Sequence, residues 1–176
     1  NKDPTLLSPQ IFYAREMHKR ARVESDDRAK RLVYRLAIES YQDAKNQEDN
    51  NPFIHGQLLL ALNEAWMLER RHPSAKRELT TATMQGPEAG KQTIRLCLEQ
   101  EIQIPPNIWL AYGEFATVIS KKDIAIECLE NVLRVEPENK KALLLLACID
   151  TEDGGNKFTE EKLRNVLDDA RSDKSV

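Results

Sequence analysis

Apolar residues recur along this chain at intervals of three and four, and polar or proline-bearing breaks divide the blocks they form. Ser8-Pro9 pairs a capping hydroxyl with a proline in the first turn. Ile11, Phe12, Arg15, Met17 and Lys19 then fit a helix from about 9 to 23. Ser25-Asp26-Asp27 supplies the next cap and sets negative charge at the positive end of a helix over about 26–45. Ala29, Leu32, Val33, Leu36, Ala37 and Tyr41 are its expected apolar face. The polar run from Asn46 to Pro52 breaks helix and is the clearest internal boundary. Leu59, Leu62 and Trp66 mark a helix over 55–70, a break follows at Arg71-His72-Pro73, and Ala75, Leu79 and Ala82 mark a second helix. Residues 88–103 form another, with Ile94, Leu96, Cys97, Leu98 and Ile102 apolar. Either it pairs with a helix over 74–85, leaving 55–70 to an earlier helix, or it is an insertion after a repeat ending at Pro87. Unbroken hairpin phase favours the first pairing. The boundary Ile104-Pro105-Pro106 is firm under both.

From Pro106 to Pro137 the pattern gives two short amphipathic helices joined by a tight turn and closed by proline. Trp109, Tyr112, Gly113 and Ala116 recur on the first, and Ala125, Leu129 and Val132 on the second. Gly113 and Ala125 are small where the two axes would come closest, and a large side chain there would push them beyond the ~8–10 Å of helix packing. Glu138-Asn139 opens a further helix over 140–149, where Leu143, Leu146 and Ala147 repeat the places of Trp109, Tyr112 and Gly113. After an exposed turn over 150–156, Phe158, Leu163, Val166, Leu167 and Ala170 mark its partner over 159–170, and 171–176 is an expected frayed tail. Eight or nine helices and no strand are expected.

The order Trp109, Tyr112, Gly113, Ala116, Ala125, Leu129, Pro137 resembles the tetratricopeptide repeat, a helix hairpin of about 34 residues. Tyr112 stands for that family's leucine, Ala116 for its aromatic residue and Leu129 for its phenylalanine. A weaker copy carries Ala75, Leu79 and Pro87 at the intervals of Ala125, Leu129 and Pro137, with Asn63 in the place of Gly113. The resemblance implies an all-α fold, a tetratricopeptide-like α-solenoid of antiparallel hairpins wound as a right-handed superhelix. On this reading 1–50 is a degenerate hairpin, 51–105 holds degenerate repeat-like helices, 106–139 is a well-formed repeat and 140–172 a repeat-like C-terminal pair, with 173–176 a tail. Stacked hairpins of this kind present grooves to partners. In the resembling family ligands lie along the inner helices, which implies Asn107, Leu110, Glu114, Thr117 and Val118 here. On the next inner helix the residues are Lys141, Leu144, Cys148 and Glu152, and on the weaker repeat Gln57, Leu60, Glu64 and Met67. Some chaperone-binding members hold a peptide carboxylate with Lys and Asn where this chain has Leu110 and Glu114, so that activity is not implied. The stretch over 95–147 is also similar to repeats of an axonemal cilia- and flagella-associated protein. The W-x2-Y-x2-F order resembles half-a-tetratricopeptide scaffolds of RNA processing, but Ile126-Glu127-Cys128-Leu129 lacks their arginine and tyrosine.

Composition narrows the classes. The 176 residues are 40% hydrophobic and 31% charged with only 6 glycines, which fits a helical protein and not a disordered or collagen-like one. A formal net charge of -3 gives no global basic excess for nucleic acid. Cys97, Cys128 and Cys148 lie on apolar stretches and read as buried thiols in a reducing compartment, not as a disulfide frame. The opening N-K-D-P-T lacks the apolar core of a signal peptide and reads as the edge of a longer chain, and no apolar run approaches the ~18 residues of a membrane span.

Chemistry is sparse. Phosphate-cradling glycine motifs and a nucleophile elbow are missing, and His18, His55 and His72 read as surface histidines without metal-ligand spacing. No catalytic residue, metal or cofactor is implied. The basic cluster of Arg15, Lys19, Arg20, Arg22, Arg28, Lys30, Arg31 and Arg35 is either a solvated, partly paired surface or a dock for an acidic partner through Arg15, Lys19, Arg22, Arg28, Arg31 and Arg35. Interleaved aromatics that would favour nucleic acid are lacking. The expectation is a non-enzymatic protein-interaction scaffold within a larger assembly. Its expected setting is cytoplasmic, a ciliary or flagellar axoneme in particular, with a nuclear RNA-processing scaffold as the alternative.

Overall fold

The computed structural model describes residues 8–70 and 76–152, with side chains over 8–70 and 84–149. These residues form seven α-helices and no strand: α1 (Pro9–Val23), α2 (Asp27–Gln47), α3 (Pro52–Glu69), α4 (Lys76–Glu99), α5 (Pro106–Val118), α6 (Lys122–Val135) and α7 (Lys140–Glu152). They pack as consecutive hairpins in two compact units, 1–104 and 105–176. In the N-terminal unit α1 pairs with α2 and α3 with α4, while α3 also packs on α2 and touches α1. In the C-terminal unit α5 pairs with α6, and α7 packs on α6 and touches α5.

The helix starts follow from local chemistry. The Ser8 hydroxyl accepts from the Ile11 N–H, the Asp26 carboxylate from Ala29, the Asn51 amide oxygen from Phe53 and the Asn139 amide oxygen from Ala142. Each satisfies a backbone donor that a helix start leaves without an intrahelical partner. The turn between α5 and α6 closes with Lys121 N–H on the Ala116 carbonyl and Ser120 N–H on that of Thr117. Ser120 takes φ 57° to make this left-handed helix ending possible.

The expected break at Pro87 is absent, because α4 runs through it as one helix. The helices expected over 74–85 and 88–103 are therefore a single element, and α3 is its hairpin partner. Proline in a helix lacks an N–H and crowds the preceding residue's Cβ, but here that residue is Gly86, which has none. Burial of Ala89, Thr93, Leu96 and Cys97 along α4 helps offset the lost hydrogen bond. The helix expected over 159–170 lies outside the described residues, as do His72 and Ala75.

In the C-terminal unit Ala116, Ala125, Leu129, Val132, Ala142 and Ile149 form a buried cluster, and Trp109 and Leu110 pack on it half-buried. Gly113 lies at the closest approach of α5 and α6. A Cβ built there would stand 3.1 Å from Cβ of Cys128 and 3.4 Å from the Leu129 side chain. In the N-terminal unit the faces differ from expectation. Leu32 is exposed, whereas Val33, Tyr34, Ala37, Tyr41 and Ala44 are buried on α2. Phe12 is exposed, whereas Ile11, Ala14, His18 and Ala21 are buried on α1. The buried stripes step by three, four and three along each helix, as one face of a helix does, and that phase sets which apolar residues turn outward.

Candidate functional site

Each unit brings two parallel helices side by side through the helix between them, α1 with α3 and α5 with α7. A glutamate lies at the same place of the pattern on one helix of each pair: Glu64 follows Asn63 on α3, and Glu114 follows Gly113 on α5.

Glu64 is the centre of a polar cluster. His18 Nε2 lies 3.1 Å from its Oε2, and Tyr34 donates its hydroxyl to the same oxygen at 2.9 Å. Arg22 donates through Nη2 to Oε1 at 2.6 Å and through Nε to Oε2 at 3.0 Å. Burial by itself would raise this carboxyl. The hydrogen bonds and charges of His18 and Arg22 outweigh it and hold the group at about 2, below the ordinary carboxylate range. Burial foremost pushes the Tyr34 phenol up, and Glu64 adds to that. The rings of Tyr34 and Tyr41 meet His18 edge-on at 5.9 and 6.1 Å. The cluster joins three helices, and the reading of His18 as a surface histidine is corrected, since it is buried. His55 is buried too, with Nε2 2.7 Å from the Asp49 carbonyl, which ties α3 to the turn before it. A sequence signal for His18 exists in the run Ile11, Ala14, His18, Ala21, where the histidine occupies a step of the buried stripe.

On the second face Glu114 is buried and Lys141 reaches it from α7, Nζ to Oε1 at 2.8 Å. This pair ties α5 to α7 beside the apolar cluster that the two helices share. With the two helices parallel, Val118 lies one turn beyond Glu114, and Leu144 and Leu145 one turn beyond Lys141, so they fall at the same level. Val118 is 42% and Leu144 47% exposed. Asn107 and Cys148 are exposed, and Leu110 and Thr117 half-buried. Cys148 thus departs from the expectation of a buried thiol, which holds for Cys97 and Cys128. Burial pushes the Cys128 thiol up to about 12, so it stays protonated. On the weaker repeat Leu60 is buried, and Gln57 and Met67 are half-buried.

The six expected docking cations divide between two helices. On α1, the Arg15 guanidinium lies 5.7 Å from the Phe53 ring centroid, Lys19 pairs with Glu16 at 2.7 Å, and Arg22 is held by Glu64. On α2, Arg28 and Arg35 are exposed, and Arg31 gives its Nε–H to the Asp27 carbonyl at 3.1 Å. Among the described residues no group of three or more His, Cys, Asp or Glu could hold a metal ion, and no helix is long and apolar enough to cross a membrane.

No family model matches the chain, and no curated protein does. Solved structures similar to it include the MamA RS-1 ArsTM double mutant, at 14% identity and a TM-score of 0.42 over 97% of this chain and 100% of that one. The crystal structure of MamA protein gives 13% and 0.43 over 97% and 98%. MamA 41-end from Desulfovibrio magneticus RS-1 gives 13% and 0.41 over 97% and 100%. Superposition this loose carries no argument about kinship or function, so the functional reading rests on the chain's own residues.

Proposed function

We propose that the chain is a non-enzymatic protein-interaction scaffold that holds a partner segment along the α5–α7 face. The observation that carries this reading is the register marked by Glu114 and Lys141, which puts exposed Val118 and Leu144 at one level on adjacent helices. Exposed apolar side chains on a rigid helix pair are what a partner's own apolar residues can cover. Thr117 stands beside Val118, its hydroxyl given to the Gly113 carbonyl. Asn107 lies about three turns away at the start of α5, and the ion pair neutralises charge one turn before the apolar pair. The described polar cluster at Glu64 is spent on internal hydrogen bonds.

The finer reading places the scaffold in a ciliary or flagellar assembly, and it rests only on the resemblance over 95–147. An RNA-processing scaffold is the alternative. A photo-crosslinking residue at position 144, with one at exposed Glu130 on α6 as control, tests both levels. Partner adducts from 144 and none from 130, in a ciliated-cell extract and not in a nuclear one, are the expected result. Equal labelling from both positions would remove the face as a binding site, and adducts only in the nuclear extract would replace the ciliary reading.

A further inference from the structure

The N-terminal half of α2 carries charge that its own helix does not favour. Behind the Asp26 cap, Arg28 stands in the first turn, with Lys30 and Arg31 in the second and Arg35 one turn on. A helix start is the positive end of the helix dipole, where carboxylates stabilise and cations do not. Asp27 in the same turn suits this end, so Arg28 is the cation that the helix start disfavours, and local conflict of that kind is expected where a surface serves binding. Arg28 makes no hydrogen bond or ion pair among the described residues. Arg28, Leu32 and Arg35 follow each other by four and three, so they form one outward stripe. Leu32 is 55% exposed between the two arginines, although its spacing suits a core. Arg28, Arg31, Leu32 and Arg35, with Ala29 and Asp26, line an open hollow of about 490 Å³. Asp26 is the one acid in that lining and already caps the helix through the Ala29 N–H. Farther along, Glu39 limits the positive stretch to the first half of the helix.

We propose that this stripe docks an acidic peptide segment with an apolar anchor: carboxylates pair with Arg28, Arg31 and Arg35, and an aliphatic side chain covers Leu32. Guanidinium groups suit this ligand because they hold carboxylates through two parallel hydrogen bonds. The stripe lies in the N-terminal unit, so the proposal stands apart from the α5–α7 reading. The stripe holds the α2 members of the six-cation dock, whereas Arg22 on α1 is held by Glu64.

Fluorescence anisotropy on the intact chain, with a fluorescein-labelled peptide of glutamate and leucine, is the test. Saturable binding that weakens as salt rises is expected. Arg28→Glu with Arg31→Glu should weaken it at least about tenfold, and Leu32→Ser should weaken it while leaving the salt dependence unchanged. Charge reversal at Lys45 and Arg134 should leave binding as it was. Circular dichroism separates binding loss from unfolding, since Arg28→Glu suits the helix start and should not lower the melting temperature. Failure of the native chain to bind, unchanged binding by the double charge reversal, or tighter binding of a single-stranded oligonucleotide or of phosphatidylserine vesicles would overturn the proposal.

Discussion

Asn63-Glu64 on α3 and Gly113-Glu114 on α5 fall at matching places of the sequence pattern, yet the two units use them differently. At the first position, glycine lets α6 approach so closely that an added Cβ would press on Cys128. Asn63 is buried at the matching place of the sequence pattern, and its Nδ2 has no hydrogen-bond partner among the described residues. At the second position, Glu64 gathers three donors from two helices, whereas Glu114 takes one ammonium from α7. The lesson is that one unit closes its inner seam with a many-partnered carboxylate. The other closes its hairpin by close packing and joins α5 to α7 through a shared apolar cluster and a single ion pair.

The same substitution at the two first positions should break them apart most widely. Gly113→Leu must drive α5 from α6, at a cost of about 3 kcal/mol or more. Asn63→Leu keeps the branching at Cγ, adds some bulk and removes that amide donor, so its cost should stay below about 2 kcal/mol. Urea unfolding of both variants decides the matter. Equal losses would mean that α3 meets α4 as tightly at Asn63 as α5 meets α6 at Gly113.

Glu64→Ala comes next. It leaves His18 and the Tyr34 hydroxyl buried without their acceptor, at an expected cost of about 2–4 kcal/mol. The same carboxylate gives the N-terminal unit an acid sensitivity. Its folded pKa of about 2 lies below the value of 4.5 taken without the fold. Its contribution is therefore complete above about pH 4.5 and is lost as pH falls toward 2. Stability measured across that window should fall for the native chain and fall less for Glu64→Gln. Parallel curves would show that His18 and Arg22 do not favour the carboxylate.

How far these features were legible follows from the distance over which each is decided. The α5–α6 hairpin is legible because its contacts are local: Gly113 meets Cys128 and Leu129 across one short turn. Pro87 and Pro137 stand at matching intervals, but only Pro137 ends a helix. Asn139 caps the next start beside it, whereas Gly86 relieves the crowding before Pro87. The Glu64 cluster was not legible, because His18 and Tyr34 come from 46 and 30 residues away. In the sequence pattern His18 reads as a surface residue and Tyr34 falls off the expected apolar face of α2, and no spacing names what the two meet. On the α5–α7 face, the resemblance to the tetratricopeptide repeat put Glu114 and Lys141 among the inner-helix residues. It did not show that they neutralise each other or that Glu114 is buried.

The smallest effects lie in that second pair, and they should be asymmetric. Glu114 is the buried member, with its side chain 5% exposed, and Lys141 is 43% exposed. Removing the lysine strands a carboxylate away from water, while removing the carboxylate lets the ammonium turn outward. Lys141→Met should therefore cost about 1–2 kcal/mol, and Glu114→Gln less than about 1 kcal/mol. Chemical denaturation of the two variants and of the double variant checks this. If Lys141→Met costs no more than Glu114→Gln, the carboxylate reaches water without its partner. The α5–α7 register would then rest on apolar packing alone, and the contrast with the Glu64 seam would narrow to the number of donors.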